Sequence, residues 1–178
     1  MKGTVSGLLL SVLVWTAPAA SASDATEQAG DVLAVALPLC AFAATAYHRD
    51  GEGAFEYGKA LLTTLGVTYA LKYSVDKERP DGSDNHSFPS AHAATAFSGA
   101  SFLQKRYRMS YGIPAYLAAG YVGWSRIDAK AHDGWDVLAG AAIGVVSTYL
   151  FTDFFGEKTA LMPVVGDNTY ALVFRSKF

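Results

Sequence analysis

The sequence predicts an all-α protein: a compact, membrane-embedded bundle of five to six helices, followed by a short C-terminal β-hairpin. Three observations carry that expectation. Five apolar runs, each 11 to 16 residues long, alternate with polar stretches. Of the 178 residues 51% are hydrophobic and only 17% charged, below the ~25% charged residues usual in soluble domains. Gly, Ala, Ser and Thr are dense throughout, and Gly140 with Gly144 forms a small-xxx-small pair that lets helix backbones approach closely.

The length is that of one domain, with no room for two substantial cores. Met1-Lys2, the apolar stretch Val5–Ala17 and the small residues Pro18-Ala19-Ala20-Ser21-Ala22-Ser23 follow the pattern of an export signal. Residues 1–22 are therefore expected to be a signal peptide, with Ala20-Ser21-Ala22 as the recognition triplet. The alternative is an uncleaved first membrane helix, although its apolar core is short for a span. Residues 23–155 form the helical domain. Within it Ser23–Asp31 is acidic and polar, without Lys or Arg, and Val32–Tyr47 is almost continuously apolar. Cys40, the single cysteine, lies in that run and reads as packing; one cysteine makes neither an intrachain disulfide nor a thiolate metal cluster. His48–Tyr57 reads as a polar loop, Ala60–Leu71 as the next apolar run, and Tyr73–Ser90 as the longest polar stretch. An alanine-rich helix follows over Ala91–Leu103, closed by Lys105, Arg106 and Arg108. Pro114–Trp124, the polar stretch Ser125–Asp136 and the apolar run Val137–Phe151 complete the domain. In the tail, 156–178, the stretches Leu161–Val165 and Tyr170–Phe174 flank Gly166-Asp167-Asn168 and read as a hairpin.

The apolar runs fall short of the ~20 residues of a full crossing, and buried helices of a soluble bundle would look similar. The charges favour the membrane. If the N-terminus of the domain is outside, His48–Lys59, Lys105–Arg108 and the tail's Lys158, Arg175 and Lys177 fall inside, as the positive-inside rule requires. The stretches Lys72–Ser90 and Ser125–Asp136 then share the outer side. A net charge of -2 gives no electrostatic reason to expect nucleic acid as a partner.

Those two outer stretches hold the chemistry-bearing residues. Asp133 is a candidate N-cap, which places His132 just before a helix and Asp136 in its first turn. An imidazole held by a carboxylate has its tautomer fixed and its free nitrogen improved as nucleophile or base. Arg126 adds a planar fork suited to phosphate oxygens. A lone His and Asp four apart on a helix are more often a surface pair. In the other stretch Ser90 reads as an N-cap, and a helix N-terminus with a serine hydroxyl suits phosphate. Taken singly, Lys72, Lys77, Glu78 and Arg79 read as a solvated loop, and His92 as a partly buried helix histidine.

Together they make an ordered pattern: Lys72, six residues, Arg79-Pro80; Pro89-Ser90-Ala91-His92; Ser125-Arg126, five residues, His132, three residues, Asp136. This resembles the three-part signature of the type 2 phosphatidic acid phosphatase superfamily, which also holds bacterial class A acid phosphatases and vanadium haloperoxidases. The chain departs from the family at Ala91, where glycine is usual; alanine resists positive φ, so this backbone must take an ordinary conformation. The resemblance implies a phosphatase acting on a phosphomonoester or diphosphate, in which His132 attacks phosphorus and Asp136 orients it. By similarity His92 protonates the leaving oxygen and then deprotonates water. Lys72, Arg79, Ser90, the Ala91 N–H and Arg126 are expected to bind the phosphate oxygens. No metal and no cofactor are implied, because the cationic side chains neutralise the charge. The implied partners are a lipid phosphate or other phosphate ester and the membrane, with the site of a bacterial inner-membrane protein facing the periplasm. A phosphotransferase using the same phosphohistidine and a soluble periplasmic acid phosphatase are the alternatives. His48 and His86 have no motif position and read as loop residues.

Overall fold

A computed structural model describes the backbone of residues 22–155, 158–166 and 169–177, with side chains over residues 24–155. The predicted signal segment 1–22 lies outside the described residues except for Ala22, the first residue of the first helix. Five helices follow: α1 (Ala22–Tyr47), α2 (Gly51–Ser74), α3 (Ala91–Tyr107), α4 (Met109–Asp128) and α5 (Gly134–Phe151). An antiparallel pair closes the chain, β1 (Lys158–Gly166) with β2 (Thr169–Lys177), in the register Lys158 to Lys177 and Gly166 to Thr169. The helical bundle and the tail hairpin are thus as the sequence predicts.

The helices are longer than the apolar runs. α1 has 26 residues and α2 has 24, because polar flanks continue the helix where caps and packing allow it. The acidic stretch Ser23–Asp31 belongs to α1. The predicted loop His48–Tyr57 is corrected to a tight turn at His48–Asp50. There Arg49 takes φ 53, and the Asp50 carboxylate accepts the Gly53 N–H at 2.8 Å, starting α2 at once. Among the described helices α1, from Asp24, and α5 are long and apolar enough to cross a membrane. Val32, Leu39, Leu62, Leu117, Leu138 and Leu150 are all more than half exposed on the outer surface.

α3 is the central helix, in contact with all four others. Gly140 and Gly144 explain its close seat against α5. A Cβ at Gly140 would stand 2.3 Å from the Ser90 carbonyl oxygen, and one at Gly144 would stand 2.2 Å from that of Ala94. Across the same interface the Ser98 and Thr148 hydroxyls meet at 3.0 Å. The core is built of alanines with Tyr57, Phe102 and Val122. Helix directions alternate, so the starts of α1, α3 and α5 and the ends of α2 and α4 gather at one end of the bundle. That end holds every motif residue.

Candidate active site

The start of α5 is fixed by a reciprocal cap. The Asp133 carboxylate accepts the N–H groups of Trp135 (2.9 Å) and Asp136 (3.0 Å), and the Asp136 carboxylate accepts the Asp133 N–H (3.1 Å). Asp136 is fully buried, and it also receives Lys77 Nζ at 2.7 Å and the Ser87 hydroxyl. His132 lies beside it with Nδ1 at 3.7 Å from Asp136 Oδ2, a close approach beyond hydrogen-bond distance. The His132 ring is buried, with Nδ1 unpartnered. Burial, reinforced by the Arg79 and Lys72 cations, pushes the imidazole down to about 4 against the pull of Asp136, so it is neutral at ordinary pH. A neutral, buried imidazole keeps a lone pair to offer.

Lys77 corrects its solvated-loop reading. The loop before α3 folds on itself, with the Lys77 N–H on Asn85 O (3.1 Å), the Ser87 N–H on Lys77 O (3.0 Å) and the Arg79 N–H on Asp84 O (2.9 Å). This turns Lys77 inward, where Nζ bridges Asp133 and Asp136, each at 2.7 Å. Burial works against the charge on Lys77, but the two carboxylates together outweigh it and raise the ammonium above its ordinary value. A signal was available: Lys77 and Arg79 are two apart in an extended segment before Pro80, and so share a face.

Six of the eight predicted residues, Lys72, Arg79, Ala91, His92, Arg126 and His132, line one cavity of about 420 Å³. Lys72 at the end of α2 donates to His86 O at 2.6 Å. Arg79 donates to Asp84 Oδ1 at 2.9 Å and to Ala131 O at 3.3 Å. Ala91 opens α3 and is not among the residues of positive φ, so the replacement of glycine brings no strain there. Asp136 and Ser90 stand behind the wall. The Ser90 hydroxyl oxygen accepts the Ala93 N–H at 3.4 Å as helix cap, and its own N–H donates to Asp136 O at 3.0 Å. His48, away from this end, stacks on Tyr107 with ring centroids 4.6 Å apart.

Four lining residues were not predicted: Glu27 and Asp31 of α1, Tyr69 of α2, and Ala131. Arg126 donates Nη1 to Asp31 Oδ1 at 2.7 Å, Nη2 to Glu27 O at 2.6 Å, and Nε to the Ser125 hydroxyl at 3.2 Å. The same Asp31 oxygen lies 3.2 Å from His92 Nε2. The acidic composition of Ser23–Asp31 was visible in the sequence, but nothing there pointed it at Arg126. Beside the cavity runs an apolar groove of about 350 Å³ between α1 and α2, lined by Pro38, Leu39, Phe42, Leu61 and Leu65. Cavity and groove share Tyr69, Ala91 and His92.

An enclosure walled by Lys72, Arg79 and Arg126 with a neutral imidazole in reach suits a phosphate ester and a nucleophilic attack upon it. Similar proteins act on phosphate esters. The sequence pattern of the PAP2 superfamily matches residues 53–160. The lipid A 4'-phosphatase of Helicobacter pylori is 31% identical over 170 residues, covering 86% of this chain and 85% of that one. The lipid A 1-phosphatase of Porphyromonas gingivalis is 40% identical over 92 residues, 50% of this chain and 20% of that longer protein. The crystal structure of Aquifex aeolicus LpxE has the same fold, with a TM-score of 0.61 over 74% of this chain and 87% of that one, at 21% identity. The chain belongs to the PAP2 superfamily and is a phosphoric ester hydrolase.

Proposed function

We propose that the enzyme hydrolyses the phosphate of a membrane lipid, with lipid A the first candidate, through a phosphohistidine at His132 and without a metal ion. One observation carries the lipid reading: the cationic cavity opens at Tyr69, Ala91 and His92 into the apolar groove between α1 and α2. A phosphate bound among Lys72, Arg79 and Arg126 would leave its hydrocarbon portion beside Leu39, Phe42 and Leu61. The names of the relatives, lipid A 4'- and 1-phosphatase, support the same class of substrate.

In the first step a His132 nitrogen bonds to phosphorus as the P–O bond to the lipid breaks, and the His92 imidazolium gives its proton to the leaving oxygen. In the second step water attacks phosphorus, its proton passes to His92, and the N–P bond breaks to release inorganic phosphate. Lys72, Arg79 and Arg126 hold the equatorial oxygens as charge builds on them. Asp136, clamped by Lys77 and Ser87, faces the imidazole that becomes cationic on attack. We place this site on the periplasmic side, from the export-signal pattern of residues 1–22 and the cations Lys105 and Arg108 at the opposite end.

The test is phosphate release by the purified full chain in detergent from lipid A, phosphatidate, phosphatidylglycerol phosphate and undecaprenyl diphosphate, with and without EDTA. Release from lipid A that survives the chelator is expected, and the position of the lost phosphate separates the 4' from the 1 end. Release only after a divalent ion is restored would overturn the metal-free mechanism, and transfer to an added acceptor without free phosphate would make the protein a phosphotransferase. For the orientation, a cysteine at Ser83, with Cys40 removed, is expected to react with an impermeant thiol reagent in intact spheroplasts. Labelling only after lysis would reverse it.

A further inference from the structure

Asp31 has no place in the motif pattern, yet it touches two of the residues that do. It lies on α1 two turns from the start of that helix. Its Oδ1 sits 2.7 Å from Arg126 Nη1 and 3.2 Å from His92 Nε2. α1 is brought close enough by Gly30, where a Cβ would fall 2.0 Å from the Ser125 hydroxyl and 2.7 Å from Arg126 Nη2. The Asp31 side chain is 49% exposed and that of His92 is 42% exposed, so both face the cavity and are not locked in the core.

We propose that Asp31 is a positioning residue of the phosphatase site, holding Nε2–H of His92 and tying that ring to Arg126. The proposal rests on the assignment of His92 as the acid and base of the reaction. With Nε2–H given to the carboxylate, the proton that moves to the leaving oxygen is the one on Nδ1, and the proton taken from water returns there. The site then carries two histidine–carboxylate pairs with different duties. His132 with Asp136 forms and breaks the bond to phosphorus, whereas His92 with Asp31 moves the proton.

The electrostatics of the site give this pair a purpose. The charged and titratable groups facing His92 are Asp31 and Glu27 from α1, Tyr69 and Lys72 from α2, Arg79 from the loop before α3, Arg126 from α4, and His132. Lys72, Arg79 and Arg126 bind phosphate, but they also oppose a proton on His92, and a general acid must carry one. Asp31 counters them at the ring that must carry its proton before the attack begins. Its ion pairs are with His92 and Arg126, which leaves Lys72 and Arg79 to the phosphate.

The experiment compares Asp31→Asn and Asp31→Glu with the unchanged chain, on nitrophenyl phosphate and on a long-chain alkyl phosphate. A nitrophenolate leaves without acid assistance, whereas an alkoxide does not. Asp31→Asn is expected to lower kcat for the alkyl phosphate on the order of 10-fold, part of the 10²–10⁴ that general acid catalysis supplies. KM and the rapid release of nitrophenol should change little, and the alkaline limb of kcat for the alkyl phosphate should move to lower pH. The NMR titration midpoint of His92 should fall as well. Asp31→Glu, which keeps the carboxylate, should restore most of the loss.

Tighter binding of inorganic phosphate with undiminished kcat would overturn the proposal and make Asp31 a carboxylate that merely occupies the phosphate's place on Arg126. Equal losses on both esters, with the pH limb and the His92 midpoint unmoved, would overturn it in favour of a structural contact. If the unchanged chain releases phosphate from neither ester, the phosphatase reading fails. The His92 midpoint still decides the pair in that case, since a midpoint unmoved by Asp31→Asn overturns it.

Discussion

Each end of the bundle holds a buried arginine against carboxylates, and the two clusters behave differently. At the end away from the motifs, Arg106 and Asp50 have side chains only 3% exposed. Asp50 accepts Arg106 Nε and Nη2, both at 2.7 Å, the Tyr107 hydroxyl at 2.8 Å and the Gly53 N–H at 2.8 Å. The remaining guanidinium donor, Nη1, goes to Glu56 at 3.1 Å and Asp153 O at 3.0 Å. At the motif end Arg126 is equally buried, but its carboxylate partners, Asp31 at 2.7 Å and Glu27 at 3.7 Å, are both nearly half exposed, and each gives it one oxygen. An ion pair whose members are all buried and saturated is a clamp, because releasing one partner strands the other without water. A pair whose carboxylate reaches solvent lies open to the cavity, where a phosphate can approach the guanidinium beside it.

The largest expected contrast is catalytic. His132→Ala should bring the turnover of every phosphate ester to background, because the phosphoryl group then has no nitrogen to accept it. His92→Ala should spare the first step for nitrophenyl phosphate and cost roughly 10²–10⁴-fold for a lipid phosphate, and protein-bound acid-labile phosphate should accumulate. Rapid-quench nitrophenol release distinguishes the two; a burst from His132→Ala would reverse the roles.

The two arginines come next. Arg106→Ala leaves Asp50 and Glu56 buried without their cation and should cost about 3–5 kcal/mol of stability, with the activity of the folded fraction kept. Arg126→Ala should do the converse: a loss of about 10²–10³ in kcat, as for one oxyanion donor, and a smaller loss of stability, since Asp31 can turn to water. Denaturant midpoints and kcat on the same samples decide it. If both variants lose the same stability and the same activity, the distinction between clamp and site is wrong.

This difference also marks what the sequence could reveal. His132, Asp133 and Asp136 were legible because a helix cap is a local matter, written in five consecutive residues around one N-terminus. Gly140 and Gly144 were legible because close helix approach needs small residues at a fixed spacing. The roles of Lys77, Asp31 and Arg106 were not, because each depends on a partner 50 or more residues away: Lys77 on Asp133 and Asp136, Asp31 on Arg126, Arg106 on Asp50. In the sequence Arg106 is one of the three cations of Lys105–Arg108, yet the bundle neutralises it, which leaves Lys105 and Arg108 to carry the positive-inside signal of that stretch. The turn at His48–Asp50 was mistaken for a longer loop because Gly51 and Gly53 resemble turn residues, whereas the Asp50 cap makes them the first turn of α2.

Lys77 offers an intermediate case, since its partner Asp136 is buried while Lys77 itself is 33% exposed. Lys77→Met is expected to cost about 2 kcal/mol, less than the 3–5 kcal/mol of a fully buried pair because water reaches the lysine side. Activity should fall too, since Asp136 loses the cation that fixes it beside His132. A variant as stable and active as the unchanged chain would show that Ser87 and the Asp133 N–H hold Asp136 unaided.

The smallest effect concerns the proton on His132, and it tests whether the motif end is poised for attack. Burial comes first among the causes that hold this imidazole at about 4, followed by Arg79 and Lys72, while Asp136 pulls the other way. In phosphate-free buffer its ring nitrogens should therefore titrate far below the ordinary histidine value of ~6.5. The unfolded chain binds this proton at higher pH than the folded one does. The histidine's contribution to stability is then whole above pH ~6.5 and declines as pH falls toward about 4. Arg79→Gln removes the second cause and leaves burial in place, so the midpoint should rise without reaching the ordinary value. Histidine ¹⁵N shifts measured against pH read both numbers. A His132 midpoint at or above ~6.5 in the unchanged chain would mean that the ring is protonated when substrate arrives, and that its lone pair must first be freed by a base the site does not display.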